Sequence, residues 1–174
     1  MVLGAAAACG GIALAVATPG AVLAQPADAG RGNGKHYFIE FRARPSTYIG
    51  HTFIVYGRLG ANGEVVERRI AGLIPEVDAF RGLIFPVHGS VREYKDDTRL
   101  PARVVYRLRL SAAQYARVAA TVRQMQATEH RWHALFFNCN DFAIEIAEAL
   151  KLWRPPSLLP PDVWVASLRA MNGS

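Results

Sequence analysis

The sequence predicts an α+β domain: an antiparallel sheet packed against helices. Three patterns carry that expectation. Two strand-like runs are joined by a tight-turn dipeptide, a third alternating run passes straight into an amphipathic helix, and further helical patterns follow toward the C-terminus.

The chain has 174 residues with a formal net charge of +6. Met1 to Ala24 is uncharged and almost wholly Ala, Val, Leu and Gly, and Val22-Leu23-Ala24 puts small residues where a signal peptidase reads. The expectation is a signal peptide over 1–24 cleaved before Gln25. The missing basic residue at the start leaves a retained N-terminal anchor as the alternative, although Gly10, Gly11, Pro19 and Gly20 disfavour a stable spanning helix. Residues 25–35 read as a flexible linker, and 36–174 as a single domain large enough for its own core.

Within that domain, His36 to Ala43 and Thr52 to Leu59 are rich in aromatic and β-branched residues and read as strands. Asn62-Gly63 supplies the positive-φ positions of a tight hairpin, returning the chain through Val65 to Ile70. From Ala102 to Leu110 the apolar residues alternate with Arg103, Val105, Arg107 and Arg109. That period of two puts an arginine stripe on the face away from the core, read as a solvated sheet face in preference to a phosphate-binding one. Ser111-Ala112-Ala113-Gln114 is a capping-box sequence, and Tyr115, Val118, Ala119, Val122 and Met125 recur at helical spacing. Ala134 to Phe137 reads as a short buried strand. Phe142, Ala143, Ile146, Ala147 and Leu150 then give a helix its inward face, and Pro160-Pro161 opens a last helix over Asp162 to Met171 with Gly173 beyond its end.

The chemistry centres on a cysteine. Of the two in the chain, Cys9 falls in the leader, so Cys139 would remain unpaired after export. Asn138 is placed to cap the helix that follows, which puts Cys139 in its first turn. There, free backbone N–H groups and the helix dipole favour a thiolate and could hold an oxyanion. Asn138 and Asn140 flank the thiol as possible supporting residues, or as plain cap and turn residues.

A thiolate needs a base, and five histidines are available. His51 is the expected partner, at the mouth of a strand behind Gly50. His88 is a possible orienting third group, whereas His36, His130 and His133 read as structural. No metal and no cofactor are expected, because His130-x-x-His133 with Cys139 lacks the four converging ligands of a tetrahedral site. Dispersed arginines without a recognition motif argue against nucleic acid, and the positive charge suits peripheral contact with anionic envelope surfaces.

Gly50-His51-Thr52-Phe53, Glu93-Tyr94, Arg99, Arg107-Leu108-Arg109-Leu110-Ser111 and Asn138-Cys139, in that order, resemble the circularly permuted papain-like superfamily. Within it they are most similar to the Lnb-type periplasmic domain of lipoprotein N-acyltransferases, and more distantly to the NlpC/P60-like and lecithin:retinol acyltransferase-like groups. The resemblance implies a permuted papain-like fold over the mature domain, with Cys139 as nucleophile and His51 as general base and later general acid. It implies covalent acyl transfer on an amide or ester, with a cell-wall peptide, lipid or lipoprotein as substrate. The family's third polar residue has no match among the quoted motifs. Asn140-Asp141 departs from the Thr or Ala that often follows Asn-Cys, so the family's substrate choice does not carry over. The rival expectation is a non-catalytic envelope-binding module that keeps the fold.

Overall fold

A computed structural model describes residues 36–45 and 50–173. The expected leader and linker lie outside the described residues. Among those that are described, no helix is long and apolar enough to cross a membrane.

The strands form one six-stranded antiparallel sheet, in the order β5-β1-β2-β3-β4-β6. β1 (Tyr37–Arg44) and β2 (His51–Leu59) pair so that Arg44 stands directly opposite His51. β2 is central and covered on both faces, which is why it reads as a nearly continuous apolar run rather than an alternating one. The Asn62-Gly63 turn joins β2 to β3 (Val65–Pro75), with Gly63 at φ 83°. β3 runs well past Ile70: its first half pairs with β2, and its second half, Gly72 to Pro75, pairs with β4 (Val87–Arg92).

Two short helices, α1 (Ala79–Ile84) and α2 (Lys95–Arg99), flank β4. The chain then crosses to the far edge, where β5 (Val104–Leu110) pairs with β1. α3 (Ala112–Gln126) follows directly, its start closed by the reciprocal Ser111–Gln114 capping box. β6 (His130–Trp132) returns to pair with β4, and α4 (Cys139–Ala149) and α5 (Pro161–Asn172) complete the chain. Pro161 occupies the first helical position, where its missing N–H costs nothing.

α3, α4 and α5 cover one face of the sheet. Ile39, Phe41, Ile54 and Leu73 meet Val118, Phe142, Ile146, Trp164 and Leu168 in the main core. The opposite face carries a smaller cluster of Phe38, Phe53, Val55, Leu59 and Ile70. Arg107, from the arginine stripe, lies over the Phe38 ring at 4.8 Å and pairs with Glu40 at 3.5 Å, while Arg103 reaches Asp162 at 3.8 Å. Both arginines pair with this chain's own carboxylates while remaining exposed, as a solvated sheet face allows.

One expected element is corrected. Ala134 to Phe137 is not a buried strand; the strand lies earlier, at β6. His133 and Phe137 instead bond to each other, His133 N to Phe137 O at 2.9 Å and Phe137 N to His133 O at 3.2 Å. That closes a tight turn and pushes Leu135 and Phe136 into solvent. An apolar run of this length has no helical or strand period to distinguish it from a core segment.

Candidate active site

Asn138 caps α4, its side-chain oxygen accepting from Asn140 N at 2.8 Å, while Asp141 Oδ2 accepts from Asn138 N at 2.7 Å. The side-chain amide of Asn138 also donates to Ala134 O at 2.9 Å, tying the preceding turn to the helix start. Cys139 is therefore held as the first helical residue. It is only 4% exposed, yet it forms part of the wall of a cleft of about 720 Å³.

Asn140 is wholly committed to structure. Its side-chain nitrogen donates to Ser157 O and Leu159 O, both at 2.8 Å, and its oxygen accepts from Thr52 Oγ1 at 2.6 Å. These bonds pin the start of α4 to the start of β2. The two ends meet at the thiol, where Cys139 interacts with the His51 side chain and the Thr52 backbone. Asn138 and Asn140 thus act on the site through position: their side-chain donors are already used by backbone carbonyls.

His51 projects from the first residue of β2, its ring stacked on Phe53 with centroids 5.8 Å apart. Beneath it lies Gly72 of β3, where an added Cβ would come within 2.8 Å of His51 Nε2, so only glycine leaves the ring its room. Nε2 faces Asp97 Oδ2 at 3.7 Å, and neither atom has a hydrogen-bond partner among the described residues. The other carboxylate oxygen of Asp97 accepts from Arg44 Nε at 2.7 Å. Arg44 also lies over the Tyr94 ring at 5.4 Å.

The electrostatics follow from these contacts. Burial pushes the Cys139 thiol up, but the hydrogen bond and charge of His51 and the N–H groups of Thr52 and Cys139 outweigh it and hold the thiol below its usual range. Burial lowers His51 as well, yet contact with Asp97, the bond to Cys139 and the charges of both carry the imidazole up to about 9. For Asp97, burial raises the carboxyl, and His51 and Arg44 together hold it below the ordinary range. All three shifts favour the charged forms: thiolate, imidazolium and carboxylate.

His88 does not join this row. It is exposed on β4 opposite Arg131 and does not line the cleft; Asp97 stands where an orienting third group was sought. His130 and His133 are buried, the first within 2.7 Å of Met125 O and the second accepting from Leu135 N at 3.1 Å. His36 is exposed. Among the described residues, no group of three or more His, Cys, Asp or Glu is placed to hold a metal ion.

Sequence reasoning missed Asp97, Arg44 and Trp132. Asp97 and Arg44 form a buried ion pair across 53 positions, which no local pattern announces. Trp132 lines the cleft with its indole N–H buried and without a partner among the described residues. Its ring packs so closely on Gly82 that any Cβ there would collide with it.

The fold is thus α+β, and the site is a buried cysteine, histidine and aspartate at the junction of a strand start and a helix start. Comparison with protein-family models, with curated proteins and with solved structures finds no match to this chain.

Proposed function

We propose that this protein is a thiol enzyme of the cell envelope that transfers or hydrolyses acyl groups by covalent catalysis at Cys139. The observation that carries the reading is the row Cys139–His51–Asp97: a helix-start thiol beside an imidazole that is itself backed by a buried carboxylate. A strand histidine preceding a helix cysteine, on an antiparallel sheet, also supports kinship with the circularly permuted papain-like superfamily. Asp97 then takes the third polar place.

The mechanism follows from the geometry. With Nε2 turned to Asp97, Nδ1 is the ring nitrogen left for the thiol proton. The thiolate attacks an amide or ester carbonyl, the Sγ–C bond forms and the carbonyl electron pair moves onto oxygen, where the N–H at the start of α4 can stabilise it. Collapse of that intermediate breaks the bond to the amine or alcohol, which leaves with the imidazolium proton. Water or an amine then gives its proton to His51, attacks the thioester and releases the thiolate. Cell-wall peptides, lipids and lipoproteins are the acyl donors that suit an exported chain.

The test is the pH dependence of iodoacetamide alkylation of Cys139. The wild type should react near neutral pH with an apparent pKa below that of a free thiol. His51→Ala should remove the shift and slow the reaction at pH 7 by about a hundredfold, the scale of losing a positioned base. A Cys139 that reacts only after unfolding, or one indifferent to His51, sinks the enzyme reading and leaves a non-catalytic envelope-binding module.

A further inference from the structure

Two turns that lie far apart in sequence stand side by side at one end of the β4–β6 pair. Val87 is in register with Trp132, Ala134 N donates to Gly82 O at 3.1 Å, and Arg131 Nη2 donates to Pro86 O at 3.2 Å. The end of α1 presents Ile84 and Phe85, 55% and 67% exposed, and the neighbouring turn presents Leu135 and Phe136, 60% and 76% exposed. Four large exposed apolar side chains therefore sit on two adjoining segments at one tip of the sheet, beyond the scattered exposure normal for a soluble surface.

We infer that this tip docks on an anionic lipid surface. The backbone is the first reason. Phe85 N bonds to Arg81 O at 2.9 Å, Leu135 N to His133 Nδ1 at 3.1 Å, and His133 and Phe137 satisfy each other, so the tip can enter an apolar medium without stranding these groups. Charge is the second. Arg81 and Arg131 are exposed at its flanks, positioned to reach headgroup phosphates while the aromatic rings sit below them.

Docking of this kind would also place the cleft at the membrane. Val77, Asp78 and Ala79 ahead of and at the start of α1 form part of its wall, and Cys139 lies three residues beyond Phe136. The inference does not depend on the thiol chemistry, which alkylation of Cys139 tests separately.

The experiment uses the full chain carrying Phe136→Trp, mixed with phosphatidylcholine–phosphatidylglycerol vesicles whose acyl chains are brominated near the headgroup. Emission from residue 136 should be quenched beyond the wild-type background. Because the excess comes from that residue, it reports the tip whatever the N-terminal apolar stretch does. Arg81→Gln with Arg131→Gln should shift the lipid titration by about thirtyfold, the loss expected for two arginines at an anionic surface. Leu135→Trp gives a second reporter should the first variant misfold. No excess quenching at either position, or equal quenching with phosphatidylcholine alone, overturns the inference. So does a lipid-free dimer that Phe85→Ser with Phe136→Ser dissociates, since a second copy of the chain would then be the occupant.

Discussion

Arg44 and His51 share one carboxylate. Asp97 is 3% exposed, so its charge is supported by its partners rather than by water: by His51 first, and by Arg44 through a 2.7 Å bond. That bond also fixes which oxygen faces His51. Replacing Asp97 by Asn removes the charge and much of what raises His51, so the imidazole falls and the Cys139 thiol rises with it. Alkylation of Cys139 at neutral pH should then slow by about tenfold, with the acid limb of its pH profile moved upward, because one pKa unit is one decade of thiolate. An acid limb identical to the wild type in Asp97→Asn would remove Asp97 from the site. Residue identity alone made Cys139 and His51 legible, since an unpaired thiol and a histidine behind a glycine each carry a chemical expectation. Asp97 looked like one surface carboxylate among several: its neighbours Asp96 and Thr98 are more exposed, and only the turn of a five-residue helix buries it.

At the scale of elements, the site is a joint between the start of β2 and the start of α4, and Asn140 is its fastening. Asn140→Ala would leave Thr52 Oγ1 and the carbonyls of Ser157 and Leu159 without these partners in a region that admits little water. The expected loss is about 3 kcal/mol of unfolding free energy in urea, two or three buried polar groups being unsatisfied at once. A change within error of zero would mean that water or a shifted loop replaces those bonds. This joint explains what the sequence could and could not disclose. Patterning revealed α3, α4, α5, β1, β2, β5 and the first half of β3, because burial and turn chemistry write themselves into residue choice and spacing. β4, α1 and α2 are short, and their burial is decided by β3 and β6 rather than by their own pattern. The turn after β6 misled for the opposite reason: Leu135 and Phe136 are apolar but face outward.

Across the whole molecule, the opposed shifts of Cys139 and His51 link the site to stability. A group whose folded pKa is raised contributes stability that is fully present below its unfolded value and is lost as pH rises through the folded one. For His51 that window runs from about 6.5 to about 9. A group whose folded pKa is lowered behaves in the opposite sense: the contribution of Cys139 is present above the ordinary thiol value and lost as pH falls through its folded value. Between the two histidine values the raised imidazole and the lowered thiol act in opposite senses, the first losing stability as pH rises and the second gaining it. The pair should therefore contribute less pH dependence across that window than His51 alone, and a decline should set in on the acid side, deepened by Asp97 once pH falls below its ordinary range. Cys139→Ser removes one of the two opposing slopes. His51 remains raised by Asp97, and the stability of the variant should fall steadily as pH rises from about 6.5 toward the folded histidine value. Urea unfolding of both proteins over that range distinguishes the cases: parallel profiles would mean that the thiol does not titrate against the imidazole in the folded state, while a steeper decline in Cys139→Ser is the thermodynamic signature of their coupling.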